Sequence, residues 1–318
     1  MGIIDDQNLS KSDNLPNSKS LVSSKSQSKI EQFLSSPLTF FGIRKTKSKI
    51  AVLRLEGVIG KIGNLRSGMK FSDLNKLIES MFKIKNLEIV ILIINSPGGS
   101  PVQSELIARR LINLGKEYSV PIYSFIEDIA ASGGYWLACA GEKIFAAQNS
   151  VIGSIGVIST GFGFHGAISK LGIERRVFSE GKSKSVLDPF SPLKETDIKI
   201  VKNLQQTIHQ NFIEYIKQRR STRLTQNDDV LFNGEFWSSD VASNFGLIDG
   251  LDDIYSFINR NYDMKNVDIQ YIESKRSWFK KKLGINSNAT IQENCDELIN
   301  NAFDTVIERI IFDKYNLY

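Results

Sequence analysis

Three short apolar runs constrain this chain more than any other feature: Ile50-Ala-Val-Leu-Arg-Leu55, Leu87-Glu-Ile-Val-Ile-Leu-Ile-Ile94 and Pro121-Ile-Tyr-Ser-Phe-Ile126. Nearly continuous apolar runs of this length, bounded by polar residues or glycine, are the signature of strands buried on both faces. Between the first two, Phe71 to Ile84 places Leu74, Leu77, Ile78, Met81 and Phe82 at helical spacing. Between the second and third, a helix is predicted from Pro101 to Leu114, with Pro101 in its first turn. Strands joined by helices need crossover connections, so the pattern predicts an α/β fold with a mainly parallel sheet flanked by helices.

Further strands are expected at Lys143 to Ala147 and Ile173 to Phe178, a long helix from about Lys194 to Arg220, and a closing α/β element from Asp240 to Arg260. Together these give one domain over residues 49–262. Residues 1–48, rich in Ser, Lys, Asn and Asp, bury too little apolar surface to offset the entropy of ordering and are expected to form a disordered polar tail. Its apolar cluster Pro37 to Ile43, followed by Arg44, Lys45, Lys47 and Lys49, suits peripheral membrane contact, a neighbouring subunit or packing on its own domain. Residues 263–318 are expected as an appendage, with a strand-like Val267 to Ile272, a basic stretch from Lys275 to Lys282 and a helix from about Ile291 to Phe312.

A hydrophobic content of 41% supports a substantial core, while 40 Lys and Arg against 35 Asp and Glu leave only +5, too mild and dispersed for a nucleic-acid partner. Cys139 and Cys295 stand far apart without a CxxC, which supports neither a disulfide framework nor a cysteine metal site. No metal and no cofactor are expected. The polar N-terminus lacks the apolar core of a signal peptide, and no window approaches a membrane-spanning length. A cytoplasmic chain without a transmembrane helix is the expectation.

Chemistry is expected at the ends of the strands, where Gly-containing turns follow the apolar runs: Asn95-Ser-Pro-Gly-Gly-Ser100, Ala130-Ala-Ser-Gly-Gly-Tyr135 and Ile152-Gly-Ser-Ile-Gly-Val157. Paired glycines let backbone N–H groups approach a ligand, as an oxyanion hole requires. Ser132 sits at the expected start of the helix Gly133 to Ala140, where small neighbours leave its hydroxyl accessible. A simple N-cap is the commoner role there. A serine nucleophile needs a base, and the only histidines, His165 and His209, lie in settings that read as surface or packing positions. Lysine is the alternative, provided that burial lowers its pKa, so burial selects which lysine can serve.

The ordered blocks Ser96-Pro-Gly-Gly99, Asp128-Ile-Ala-Ala-Ser-Gly-Gly-Tyr-Trp136, Gly153-Ser-Ile-Gly-Val157 and Gly181-Lys-Ser-Lys-Ser185 with Asp188-Pro-Phe190 resemble the signal peptide peptidase A and SohB-like serine peptidases. Asn233-Gly-Glu-Phe-Trp-Ser238 and Ala242 to Asp249 extend that likeness, which runs from about residue 50 to 260. The resemblance implies a ClpP/crotonase-like fold and an ATP-independent endopeptidase with a Ser–Lys dyad, acting on extended hydrophobic peptides such as signal-peptide remnants. It assigns Ser132 as nucleophile and chooses Lys184 over Lys182 as general base. Gly98 or Gly99, with Gly133, are implied as oxyanion-hole donors, and Ser154 as a residue that orients the lysine.

It further implies a homo-oligomeric ring in which the dyad can be completed between adjacent protomers or lie within one chain. Two features depart from the family: many members carry an N-terminal membrane anchor where this chain has a polar tail, and Lys-Ser-Lys stands where many have Lys-Tyr-Lys. Two other readings share the fold. A crotonase-type acyl-CoA enzyme would use the same paired N–H groups but ordinarily needs a carboxylate acid/base, and a non-catalytic scaffold would keep the fold alone.

Overall fold

The computed structural model describes residues 47–62 and 66–273, all within one unit, Lys45–Tyr318. Most of the expected N-terminal tail, with its Pro37 to Ile43 cluster, therefore lies outside the described residues. So do Cys295, the basic stretch from Lys275 and the helix from Ile291.

Strand β1 (Ser48–Glu56) leads through a two-stranded antiparallel hairpin, β2 (Lys61–Ile62) and β3 (Arg66–Ser67), to helix α1 (Phe71–Phe82). Then follow β4 (Leu87–Ser96), α2 (Pro101–Tyr118), β5 (Ile122–Ala131) and the short α3 (Gly133–Ala138). After β6 (Lys143–Ala146) and β7 (Val151–Gly153), the chain forms α4 (His165–Lys170) and the long α5 (Glu195–Arg220). It closes with α6 (Asp228–Leu231), β8 (Phe236–Ser238), α7 (Ser239–Asn244), β9 (Gly250–Leu251), α8 (Ile254–Asn261) and β10 (Val267–Tyr271).

The main sheet has the order β10-β1-β4-β5-β6-β9. Every pairing along it is parallel. This is the mainly parallel α/β sheet that the alternation of runs predicts. Because side chains alternate across a strand, Ala51, Leu53, Leu55, Val90, Leu92 and Ile94 face one layer of helices, with Ile78, Leu111 and Phe212. Their neighbours Ile50, Val52, Ile89, Ile91 and Ile93 face Ile254, Phe257 and Ile258 of α8. Both faces are covered, which is why these runs carry so few polar residues.

Two elements differ from the sequence reading. Val267–Tyr271, expected beyond the domain, pairs in parallel with β1 from Ser48↔Val267 to Val52↔Tyr271 and so forms an edge of the main sheet. Ile173 to Phe178, expected as a strand, has no strand partner, and Ile173 and Phe178 are exposed. A β-like composition does not make a strand without a neighbouring edge to pair with.

Candidate active site

Strand β5 is long because it serves two partners in turn. Tyr123 to Ile126 pair with β6, and Ile129 to Ala131 pair with β7. The pairing Ser96↔Ala130 from β4 and the pairing Ala131↔Gly153 from β7 bring all three Gly-containing turns to one end of the sheet. At their junction stands Ser132, the N-cap of α3, partly buried, with φ 52° and ψ −118°. That conformation favours glycine, and holding a serine in it costs about 1–3 kcal/mol, a cost typical of functional positions. Its N–H donates to Gly153 O (2.8 Å), and its carbonyl accepts from Trp136 N (3.0 Å). Ser132 makes no side-chain capping bond, so the simple N-cap role does not explain it.

The glycines around Ser132 are there for space. A Cβ on Gly98, at φ 106°, would lie 2.8 Å from Ala131 O and 2.9 Å from both Ser132 Cβ and Gly133 N. One on Gly133 would meet Ser104 Oγ at 2.5 Å and Gly99 N at 3.3 Å, and one on Gly99 would run into Ile59 O. Gly98 N–H already donates to the buried Ser96 Oγ (3.2 Å), and Gly98 O accepts from Ile59 N (2.8 Å). Gly99 is thereby held with its backbone against Gly133, beside the nucleophile candidate.

Ser154 follows β7 directly, is 8% exposed and has φ 51°. Its N–H donates to Glu235 O (2.6 Å). Under it, Gly153 lies so close to the Trp237 ring that a Cβ would stand 2.8 Å from two ring carbons. His209 Nε2 lies 3.1 Å from Ile155 O, a packing contact between α5 and this turn, and His165 begins the exposed α4.

Lys184 is in a different setting. Both Lys182 and Lys184 are exposed on a turn, and neither is hydrogen-bonded to Ser132. The surrounding segment, residues 157–204, presents large apolar side chains to solvent, among them Ile158, Phe162, Leu171, Phe178 and Leu193. The desolvation that the sequence reading demands of a lysine base is thus absent around Lys184 in a single chain.

Sequence reasoning did not find the network behind α3. Arg220 is 1% exposed; its Nε donates to Gly246 O (2.9 Å) and its Nη1 to Asp249 Oδ2 (2.7 Å). Burial pushes the Asp249 carboxyl up, but the hydrogen bond and charge of Arg220 outweigh this and hold it below the ordinary carboxylate range. Arg219 donates to the carbonyls of Cys139 (2.7 Å), Ala140 (3.1 Å) and Gly141 (3.2 Å), and Tyr135 Oη donates to Leu247 O (2.6 Å). Burial pushes the Cys139 thiol up to about 11, which makes it inert as a nucleophile. Among the described residues no cluster of His, Cys, Asp or Glu has metal-ligand geometry, and no helix is long and apolar enough to cross a membrane.

Residues 115–268 match the model of peptidase family S49. The chain is 44% identical over 241 residues to a protein of Brucella melitensis named Na(+)/H(+) antiporter NhaA, covering 76% of this chain and 32% of that one. It is 30% identical over 226 residues to Protease 4 of Haemophilus influenzae, covering 69% and 35%, and 29% identical over 215 residues to the chloroplastic serine protease SPPA of Arabidopsis thaliana, covering 66% and 31%. The chain thus spans about a third of the length of each of these three relatives.

Proposed function

The chain belongs to peptidase family S49, and on that premise we propose that it is a serine endopeptidase with Ser132 as nucleophile and Lys184 as general base. The observation that carries this reading is Ser132 in its strained conformation between β5 and α3, with glycine turns packed against it. In the proposed reaction, Ser132 Oγ attacks the scissile carbonyl while Lys184 Nζ takes its proton. The carbonyl oxygen becomes an oxyanion, received by N–H groups of Gly99 and Gly133. Gly98 contributes less directly because its own N–H is engaged by Ser96. Collapse of the tetrahedral species passes the proton to the leaving amine, and water then hydrolyses the Ser132 ester by the same route. Ser154, beside Ser132 across the β5–β7 pairing, is the residue proposed to orient the lysine.

A lysine base must be stripped of water to be neutral near pH 7. The exposure of Lys184 and of the apolar side chains around it supports a homo-oligomer, in which a second copy covers this segment and removes that water. Extended peptides rich in apolar residues are the proposed substrates. The acyl-CoA reading finds no support at the glycine turns, where a hydroxyl and not a carboxylate stands at the junction.

The test is cleavage of an unstructured apolar-rich peptide by wild type, Ser132→Ala and Lys184→Ala. Both substitutions are expected to lower kcat by about 10^4-fold or more. Wild-type rates in either variant would overturn the corresponding assignment.

A further inference from the structure

Asp188-Pro-Phe190 has no role in the chemistry above, yet the ties within residues 157–204 converge on it. The Asp188 carboxylate, its side chain 6% exposed, accepts from Arg175 Nε (2.9 Å), Ser191 Oγ (2.8 Å) and Phe190 N (3.3 Å). The Arg175 guanidinium also lies over the Phe190 ring, 5.1 Å from its centroid. Phe190 in turn packs on Phe164 at 5.7 Å, and Phe164 N–H donates to Pro189 O (2.6 Å). One residue earlier, Leu187 N donates to Asp197 Oδ2 (3.3 Å) in the first turn of α5. By contrast, the turn upstream of Leu187 is held by short-range backbone bonds, such as Lys184 N to Gly181 O (3.0 Å) and Asp188 N to Ser185 O (3.3 Å). The position of Lys184 is therefore set at the downstream end of its turn.

We propose that Arg175 and Asp188 form a latch that positions Lys184, a role that rests on reading Lys184 as the general base. With the Arg175 side chain 43% exposed, the pair adds little to stability, so a merely structural pair would leave catalysis nearly untouched when removed. A latch behaves differently. Small misplacements of a catalytic group are costly, and in an assembly whose second copy covers this segment a loosened turn would readmit water to the lysine and favour its charged form. The hydrogen bond from Arg175, followed by that from Ser191, holds the Asp188 carboxyl below its ordinary range, in keeping with an ionised acceptor.

The experiment measures kcat, KM and the pH dependence of peptide cleavage for full-length wild type, Lys184→Ala, Asp188→Ala, Asp188→Asn, Arg175→Gln and Arg175→Lys, with thermal melts for each. Asp188→Ala and Arg175→Gln are expected to lower kcat by about 10- to 100-fold with KM little changed. Their half-maximal pH should move upward by about one unit as the lysine is resolvated. Asp188→Asn should lie between them and wild type, and Arg175→Lys, which keeps one donor, should recover most of the rate. The latch is overturned if kcat and the pH midpoint stay at wild-type values, or if activity falls only with the folded fraction while the midpoint stays fixed. Wild-type cleavage by Lys184→Ala would instead remove the base assignment, and the latch with it.

Discussion

The end of the sheet that carries Ser132 and the segment from residue 157 to 204 that carries Lys184 are built on opposite terms. Around Ser132, positions are fixed by strand register, glycine contacts and a helix with a buried arginine behind it, all within one chain. Around Lys184, the apolar side chains face outward; Phe178 is 93% exposed, and cohesion comes from the ties at Asp188 and Asp197. The difference teaches that Ser132, the proposed nucleophile, is held in place by its own chain, whereas the dry environment that Lys184 would need to act as a base must be supplied from outside this segment. Helix α5, about 39 Å long, bridges the two. Its first turn accepts from Leu187 N, and its last turn holds the carbonyls that end α3.

The sharpest way to break the comparison is Gly98→Ala. The added methyl would strain φ 106° and press on Ser132 Cβ. We expect kcat to fall about 10^2-fold, measured beside a circular-dichroism spectrum that stays native. A fully active Gly98→Ala would show that the nucleophile is less rigidly held than its contacts imply.

An effect of comparable size, on stability rather than rate, is expected from Asp249→Asn, which leaves the buried Arg220 without its charge partner. Breaking such a pair costs about 3–5 kcal/mol, readable in denaturant unfolding. The pH dependence follows from the direction of the shift. A carboxyl held below its unfolded value of about 3.9 stabilises the fold above that pH and loses this contribution as pH falls through the folded value. Wild type should therefore lose stability below about pH 4, and Asp249→Asn should show a shallower loss across the same window.

The smallest effect on the folded chain is expected from Phe178→Ser. At 93% exposure this change should alter the stability of the dissociated chain by less than about 0.5 kcal/mol. It should nonetheless weaken self-association, seen as a shift toward smaller mass in sedimentation.

The rigid region was the more legible in sequence. Apolar runs buried on both faces announce parallel strands, and the glycines flanking Ser132 announce a close approach of backbones. The latch and the arginine network were not legible, because a hydrogen bond from Arg175 to Asp188, or from Arg219 to Cys139 O, leaves no periodicity and depends on tertiary placement. Ile173 to Phe178 misled for a related reason: its apolar residues fit a strand, but exposure rather than pairing is their state in one chain. The edge strand Val267–Tyr271 was recognised as strand-like, yet its partner β1 lies more than two hundred residues earlier, and local pattern carries no register.

The central claim, a preformed nucleophile waiting for an externally covered base, is tested most directly by specific peptidase activity measured against protein concentration, with mass in solution followed on the same samples. The account predicts that specific activity falls steeply as the assembly dissociates, while the melting of the chain changes little. A fully active monomer would contradict it.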